Sequence, residues 1–331
     1  MTNEYRFEFR PYQRRFLRSL TTNHGKWDIR EGIILRLTDE SGKVGWGEIA
    51  PISWFGSETL EEALDFCRQL PGEITDEIIF SIPDELPACQ FGFESAWEWE
   101  SEFFSMPNAQ CPMPHAQSYS ALLPSGEAAL NQGETLWQQG YRTFKWKIGV
   151  DAIADELKIF ESLIHTLPAS AKLRLDANGG LSYEEAKLWL WTCDNLKANG
   201  KIPIEIEFME QPLPVEKFQQ MLELSLSYET AIALDESVAT LGQLAACYQK
   251  GWRGIFVIKP GIVGSASRLR TFCQQYQIDT VFSSVFETAI ARLAALQLAA
   301  ELSRNNRAIG FGIDHFFEQE ETCFQSLWND L

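Results

Sequence analysis

Apolar and polar residues alternate along the first hundred positions in a way that predicts an antiparallel sheet with helices. Strands of period two are predicted at residues 5–9, 32–37 and 44–49. Thr59 and Glu62 have the spacing of a capping box, which predicts a helix running toward Leu70. A second helix is predicted around residues 93–104, so this part of the chain is expected to be an α+β unit.

Beyond Pro107, Pro112 and Pro114 the pattern changes to short apolar runs that alternate with helical stretches. Eight strands are predicted, at residues 115–122, 143–148, 173–176, 204–210, 232–235, 255–258, 280–286 and 308–313. Helix signals lie between them, such as the capping box of Ser182 and Glu185. Eight strands and about seven helices over roughly 200 residues are typical of an α/β fold closed into a (β/α) barrel.

The predicted organisation is therefore an α+β unit at residues 1–110 and a barrel of modified TIM type, (β/α)7β, at residues 111–315. An open, doubly wound sheet is the alternative. No G-x-G-x-x-G or P-loop motif follows any of the predicted strands, which favours the barrel.

Composition and charge limit the kinds of molecule that the protein is expected to bind. The chain has 46 acidic and 28 basic side chains, for a formal net charge of −18. Nucleic acids and anionic membranes attract basic surfaces, so we expect a small-molecule substrate, no nucleic-acid partner and no membrane insertion. The seven cysteines are scattered, and the first residues lack an apolar signal segment, which predicts a cytoplasmic protein with reduced thiols. The pattern indicates no particular oligomeric state.

Polar side chains stand where the predicted barrel strands end. In chain order these are Lys145 and Lys147, Asp176, Glu210, Asp235, Lys259, and Ser283 with Ser284. Successive members are separated by about one βα unit, so each lies one strand further around the ring. Active sites of β/α barrels lie at the carboxyl ends of the strands, so these residues are the candidate site.

Three of these residues, Asp176, Glu210 and Asp235, are carboxylates on adjacent strands. Three converging negative charges repel one another unless a cation lies between them. Oxygen ligands without nearby His or Cys favour Mg²⁺, with Mn²⁺ as a possible substitute. The sequence therefore predicts a magnesium site.

Lysines flank the carboxylates on both sides. Lys145 and Lys147 are two positions apart on one strand and project to the same face. Lys259 follows a later strand. A lysine acts as a base only when neutral, and burial beside other cations favours the neutral form. One divalent metal with lysines suits removal of a proton next to a carboxylate, because the resulting enediolate needs positive charge on its oxygens.

Several motifs in the chain resemble one known family. They are KWKIG at 145–149, LRLDANGG at 173–180, FMEQPLP at 208–214, LDES at 234–237, VIKPGIVGS at 257–265, REGIILRL at 30–37 and GWGEIAP at 45–51. Together they resemble the muconate-lactonizing subgroup of the enolase superfamily over nearly the whole chain. This resemblance implies that the N-terminal unit is a capping domain, which the C-terminal segment 316–331 joins.

The resemblance also implies roles for individual residues. Asp176, Glu210 and Asp235 would bind Mg²⁺, Lys147 would be the general base, and Lys259 would stabilise the enediolate. The other candidates are supporting or substrate-binding residues: Lys145 beside Lys147, Arg174 as a substrate contact, Ser283 and Ser284 toward a succinyl group, and Asn178 and Glu236 behind the metal ligands.

Within the subgroup, the motifs are most similar to those of the dehydratases of menaquinone and phylloquinone biosynthesis. The implied reaction is syn dehydration of 2-succinyl-6-hydroxy-2,4-cyclohexadiene-1-carboxylate to 2-succinylbenzoate, a carbon–oxygen lyase reaction. N-succinylamino-acid racemases and muconate-type cycloisomerases use the same lysines and ligands and remain alternatives. A non-catalytic barrel that serves as a binding protein is a third.

Dipeptide epimerases of the subgroup carry a D-x-D pair after the eighth strand. Here only Asp314 is present, which counts against an epimerase. Glu287 is expected to be an ordinary carboxylate at a helix N-terminus. The segment 53–56, with Trp54 and Phe55, is expected either to close over the site or to pack in the N-terminal core.

Overall fold

A computed structural model of the chain describes residues 3–22, 25–99, 119–200, 203–313, 316–317 and 324–331. The described residues form strands β1 (Glu4–Thr22), β2 (Gly25–Asp39), β3 (Val44–Ile49), β4 (Glu73–Thr75), β5 (Ser120–Leu122), β6 (Thr143–Lys147), β7 (Lys172–Asp176), β8 (Glu205–Glu210), β9 (Ile232–Leu234), β10 (Ile255–Ile258) and β11 (Asp279–Phe282).

Helices alternate with these strands. They are α1 (Leu60–Gln69), α2 (Asp76–Phe80), α3 (Pro87–Glu98), α4 (Ala129–Gln138), α5 (Ile153–Thr166), α6 (Tyr183–Ala198), α7 (Phe218–Ser227), α8 (Leu241–Gln249), α9 (Pro260–Val263), α10 (Ala266–Tyr276), α11 (Ala289–Leu302) and α12 (Phe324–Asp330).

The N-terminal sheet is antiparallel, in the order β3-β2-β1-β4. Its hairpin of β1 and β2 is much longer than the predicted strands. Helix α3 packs against β3 so closely that a Cβ at Gly45 or Gly47 would lie 2.0 or 2.1 Å from a carbonyl oxygen of α3. Both glycines are therefore required for this packing. The capping box of Thr59 and Glu62 is present at the start of α1.

Seven parallel strands form the second sheet, in the order β11-β10-β9-β8-β7-β6-β5. Its two outer strands meet the same segment. Ile309 pairs with Tyr119 and Gly310 with Ser283, both in parallel, and the Ser120 N–H donates to the Ile309 oxygen at 2.9 Å. This segment closes the ring as the eighth strand position, which confirms the (β/α)7β barrel with an N-terminal α+β unit.

Three boundaries differ from the predictions. The helix expected at 93–104 is α3, which begins six residues earlier at Pro87, a favoured residue for a first helical turn. The seventh barrel strand ends at Phe282 instead of residue 286, because Phe286 adopts a positive φ of 61°. The eighth strand, expected at 308–313, is reduced to two bridges; its Gly310 lies so close to Ser283 that a Cβ would be 2.5 Å from the serine hydroxyl.

The barrel core lies between the parallel strands and their outer helices. Trp146 on β6 stacks with Phe160 of α5 and meets Trp189 of α6 edge-on. Because side chains alternate along a strand, Lys145 and Lys147 on the same strand point to the opposite face, inside the barrel. Within the described ranges, no helix is both long enough and apolar enough to cross a bilayer.

Candidate active site

A cavity of about 540 Å³ opens at the carboxyl ends of the barrel strands. Its barrel wall carries the charged residues Lys145, Lys147, Asp176, Asp235, Glu236 and Lys259. Its other wall includes Trp27, Trp54 and Phe55 from the N-terminal unit. The segment 53–56 therefore borders the cavity, and Phe55 also packs against the N-terminal core.

The register of the barrel strands places the predicted site residues at a similar height along the barrel axis. Lys147 pairs with Asp176 across β6 and β7, and Asp176 pairs with Glu210 across β7 and β8. Asp235 directly follows β9 and Lys259 directly follows β10. Since β6 and β10 are the second and sixth of eight positions in the ring, Lys147 and Lys259 approach the cavity from opposite sides.

Lys145 lies between two of the carboxylates. Its Nζ is 2.7 Å from Asp176 Oδ2 and 2.7 Å from Glu210 Oε1. Burial alone lowers the pKa of Lys145, but the charges of Asp176, Glu210 and Asp235 outweigh it and raise that pKa above its ordinary value. Lys145 is thus held as an ammonium group in this arrangement, which suits an electrostatic role better than that of a base.

Lys259 has two partners on different parts of the chain. Its ammonium forms an ion pair with Asp235. The same Nζ lies 4.0 Å from the ring centroid of Phe55, which is the geometry of a cation–π contact. Phe55 therefore links the N-terminal unit directly to a candidate catalytic lysine.

Lys147 differs from the other two lysines. Its side chain borders the cavity, and among the residues that the structure describes its Nζ has no hydrogen-bond or ion-pair partner. An amine without a carboxylate partner is the more available of the three to accept a proton from a bound molecule.

Burial disfavours the ionised form of several carboxylates in this group. Burial, with the charges of Asp176 and Asp235, raises the pKa of Glu210 to about 8, although Lys145 acts in the opposite direction. Burial also raises the pKa of Asp235 and that of Glu236. Ionisation of this cluster is therefore unfavourable without a further cation.

The donor set fits a hard divalent cation. Asp176, Glu210 and Asp235 offer oxygen atoms only, and Oε2 of Glu236 is buried without a hydrogen-bond partner among the described residues. Within the same residues, no three acidic, His or Cys side chains are already gathered as a metal cage. Asp176 and Glu210 contact Lys145, and Asp235 contacts Lys259.

Asn178 and Glu236, the predicted supporting residues, contact each other beside Asp176. The Asn178 amide donates to Glu236 Oε1 at 3.2 Å, and its backbone N–H donates to Asp176 Oδ1 at 3.1 Å. Asn178 adopts a positive φ of 43°, which asparagine tolerates better than most residues. Both side chains border the cavity.

Ser283 and Ser284 also border the cavity. Ser284, however, is engaged within its own loop: its hydroxyl donates to Glu287 Oε2 at 2.8 Å and accepts from the Phe286 N–H at 2.9 Å. Glu287 also accepts from the Val285 N–H at 2.6 Å, so it holds this loop together. The two serines remain predicted substrate contacts, with Ser283 the freer of the two.

Arg174 is not brought to the cavity, which corrects its prediction as a substrate contact. It is buried, with Nε 2.7 Å from Glu207 Oε2 and an NH2 donor 2.7 Å from the Ala308 oxygen. Arg174 shares a strand face with Asp176 but lies two residues earlier. Two residues along a strand are about 6.6 Å, so the guanidinium lies one layer deeper in the barrel.

Several residues at the cavity were not singled out from the sequence. Trp27, Phe286 and Phe316 contribute aromatic surface, and Phe286 contacts both other rings edge-on. They come from three distant parts of the chain, and no local motif marks them. The predicted single Asp at residue 314, with His315, lies outside the described residues.

Comparisons with known proteins agree with this architecture. A family model described as enolase C-terminal domain-like matches residues 128–326, and one described as MenC, N-terminal domain, matches residues 10–99. The chain is 42% identical to o-succinylbenzoate synthase of Thermosynechococcus vestitus, over 98% of this chain and 99% of that protein.

A solved structure of o-succinylbenzoate synthase from Thermosynechococcus elongatus BP-1, complexed with Mg in the active site, superposes with a TM-score of 0.88. It is 41% identical and covers 98% of this chain and 100% of its own. A substrate-liganded L-Ala-D/L-Glu epimerase from Bacillus subtilis superposes with a TM-score of 0.75 at 22% identity, covering 95% of this chain and 91% of its own, and shares the fold.

A (β/α)7β barrel with an N-terminal α+β unit and a ring of lysines and carboxylates at its strand ends defines a class of carbon-acid enzymes. The chain belongs to the enolase superfamily and, within it, to the o-succinylbenzoate synthase family.

Proposed function

We propose that this chain is a Mg²⁺-dependent carbon–oxygen lyase that converts 2-succinyl-6-hydroxy-2,4-cyclohexadiene-1-carboxylate into 2-succinylbenzoate and water, a step of menaquinone or phylloquinone biosynthesis. The observation that carries the proposal is the set of strand-end residues at one cavity. Asp176 and Asp235 line it, Glu210 lies buried against Lys145, and Lys147 and Lys259 line it from opposite sides of the barrel. The full-length similarity to o-succinylbenzoate synthases selects this reaction among those that such a site can perform.

Asp176, Glu210 and Asp235 are the residues that would hold Mg²⁺, with Glu236 and Asn178 behind them. When bound, the ion supplies positive charge that makes a substrate carboxylate easier to convert into an enediolate. Lys145, held between Asp176 and Glu210, adds a second fixed positive charge next to Lys147.

Lys147 performs the proton transfers. Its neutral Nζ removes the proton from the ring carbon that bears the carboxylate, and the C–H electron pair passes to the carboxylate as an enediolate before it returns to form the new ring double bond. The C–O bond at the neighbouring carbon then breaks, and the departing hydroxyl takes the proton from Lys147 and leaves as water. Both events lie on one face of the ring, so one lysine serves as base and then as acid.

Lys259 acts from the opposite side of the cavity. Its ammonium, held by Asp235 and by the ring of Phe55, provides positive charge toward the enediolate face that Lys147 does not occupy. Trp27, Trp54 and Phe55 cover the cavity and limit access of water to the reacting atoms.

The direct test is incubation of the purified protein with the cyclohexadiene substrate, with Mg²⁺ and with EDTA, while the aromatic product is followed by absorbance. We expect metal-dependent aromatisation at ordinary enzymatic rates. Exchange of solvent deuterium into an N-succinylamino acid, without dehydration of the cyclohexadiene, would instead assign the site to the racemase alternative. Turnover unaffected by EDTA would contradict the metal role.

The remaining assignments are also proposals. The partner is a small-molecule carboxylate and not a nucleic acid, which the net charge of −18 supports. A cytoplasmic location is supported by the five described cysteines, which are free and buried. We place the domain boundary at residues 110 and 111. The contact of Arg10 with Trp328 supports joining the segment 316–331 to the N-terminal unit.

A further inference from the structure

Gln211 occupies the position directly after the candidate ligand Glu210, and its side chain is completely buried. Its Oε1 accepts from the backbone N–H of Asp235 at 3.0 Å and from that of Ser237 at 3.2 Å. Its Nε2 donates to the Ser237 hydroxyl at 2.8 Å and to the Leu213 oxygen at 3.0 Å. The side chain thus joins the end of β8 to the segment that follows β9.

The backbone of Gln211 extends this connection in both directions. Its N–H donates to the Ala233 oxygen of β9 at 2.8 Å. Its carbonyl oxygen accepts from the Gly179 N–H at 2.7 Å, in the loop that follows β7. One residue therefore contacts the three strand ends that carry Asp176, Glu210 and Asp235.

The orientation of the Gln211 amide is fixed by its neighbours. Two backbone N–H groups point at one end and a carbonyl oxygen points at the other, so the reversed amide would place donor against donor and acceptor against acceptor. Gln211 also adopts a positive φ of 38°, a conformation that a non-glycine residue keeps only where its surroundings hold it. Both features show a position that is determined by its contacts.

We infer that Gln211 is a positioning residue that sets the spacing of the three carboxylates and thereby the affinity of the site for its divalent ion. The inference rests on the proposed function, because it takes these carboxylates as the ligands. Neither the Gln211 amide nor its backbone groups are needed as ligands themselves. Groups that orient metal ligands typically contribute about tenfold to one hundredfold to metal affinity.

The test compares two variants. In each, one buried glutamine is replaced by methionine, which has a similar length but no amide to form these hydrogen bonds. Gln211→Met removes the side-chain hydrogen bonds of Gln211 and leaves its backbone hydrogen bonds in place. Gln90→Met is the matched control, because Gln90 is also buried and its amide bonds Ile82, Asp84 and Ser265 away from the cavity. Binding of Mn²⁺ alone is measured by the electron paramagnetic resonance signal of the free ion, on each folded variant and on the wild type.

We expect Gln90→Met to lower the melting temperature while binding Mn²⁺ as the wild type does. Gln211→Met should weaken Mn²⁺ binding by about tenfold to one hundredfold. Binding by Gln211→Met within twofold of the wild type would overturn the inference and leave the proposed function intact. A wild type that binds no Mn²⁺ would overturn the metal assignment, and the inference with it.

A second variant covers the case in which Gln211→Met does not fold. Ser237→Ala removes one acceptor of the Gln211 amide and leaves the backbone contacts in place. The net value of one hydrogen bond predicts about twofold to tenfold weaker Mn²⁺ binding. Unchanged Mn²⁺ binding by folded Ser237→Ala would then overturn the inference.

Discussion

Two clusters of buried charge lie inside the same barrel, one at each end, and they are balanced differently. The amino-end cluster consists of Arg174, Glu207, Asp279 and Arg307. The carboxyl-end cluster consists of Lys145, Lys147, Asp176, Glu210, Asp235, Glu236 and Lys259. The first pairs two guanidinium groups with two carboxylates, whereas the second holds three lysines and four carboxylates.

In the amino-end cluster every charge has a partner of opposite sign. Glu207 accepts from Arg174 at 2.7 Å and from Arg307 at 2.8 Å, and Arg307 also holds Asp279 through both carboxylate oxygens. Burial raises the pKa of Glu207, but the two arginines outweigh it and hold that pKa below its ordinary value. Glu210, three residues later on the same strand, has its pKa raised to about 8.

The difference separates a structural role from a functional one. A neutral, fully paired cluster fills the interior without needing a further ligand. A cluster of buried carboxylates whose ionisation is opposed by burial, beside a lysine without an ion pair among the described residues, favours binding of a cation or a substrate, as expected of a functional site. The same strands thus carry stability at one end and chemistry at the other.

The largest expected effect is at Lys147. Lys147→Ala should lower kcat by about 10²–10⁴-fold, the usual contribution of a general base, with little change in unfolding free energy because Lys147 has no ion pair among the described residues. Steady-state kinetics and urea unfolding measure both. Lys172→Ala, at the exposed start of β7, is the control and should keep full turnover. More than a tenth of wild-type activity in Lys147→Ala would contradict the role.

The amino-end cluster should respond in the opposite way. Glu207→Gln leaves the buried Arg174 without its counter-charge and the half-buried Arg307 with Asp279 alone, and should destabilise the fold by about 3–5 kcal/mol, measured by urea unfolding. Glu205→Gln is the control on the same strand, since its pair with Lys172 is exposed, and should change stability by about 0.5 kcal/mol or less. Equal stabilities of the two variants would show that the amino-end cluster is not structural.

The two clusters should also give opposite pH dependences in metal-free protein. The folded pKa of Glu210 lies above its ordinary value of 4.5, so its contribution to stability is present below that value and is lost as pH rises toward about 8. The folded pKa of Glu207 is lowered, so its contribution is lost as pH falls below its ordinary range.

Urea unfolding at a series of pH values in EDTA measures both contributions. Glu210→Gln should remove part of the decline between pH 5 and 8, and Glu207→Gln should remove part of the decline on acidification. If the unfolding free energy of Glu210→Gln declines between pH 5 and 8 as steeply as that of the wild type, ionisation of Glu210 does not destabilise the carboxyl-end cluster.

The smallest effect is expected at Phe55. Phe55→Leu keeps an apolar side chain but removes the ring face that contacts Lys259, and a cation–π contact of this kind predicts a loss in kcat of about twofold to tenfold. Phe55→Tyr retains the face and should retain kcat. If both variants lose kcat equally, the contact with Lys259 is not the reason.

The positions of the strand-end residues could be predicted from the sequence because parallel strands end at a common edge and one βα unit separates successive members. The depth at which each strand side chain lies inside the barrel could not be predicted from the sequence. Arg174 and Asp176 lie two residues apart on one face, yet one belongs to the amino-end cluster and the other to the cavity. Their separation depends on Glu207 and Arg307, which are distant in sequence.

Contacts between segments that are distant in sequence could not be predicted either. Phe55 reaches Lys259 and Gln211 reaches Asp235 through packing over many residues, and neither pair has a characteristic spacing. The eighth strand is reduced to two bridges, which the apolar pattern at 308–313 does not indicate. The period of the apolar pattern indicates which face of a helix or strand is buried, but not which residues pack against that face.

The most direct test of the contrast is calorimetric titration of Mg²⁺ at pH 8 into the wild type, Glu210→Gln and Glu207→Gln. The same substitution is made at two positions of β8 that are three residues apart. We expect one Mg²⁺ per chain in the wild type, the same affinity in folded Glu207→Gln, and at least tenfold weaker binding in Glu210→Gln. Wild-type Mg²⁺ affinity in Glu210→Gln would contradict the assignment of the carboxyl-end cluster as the metal site.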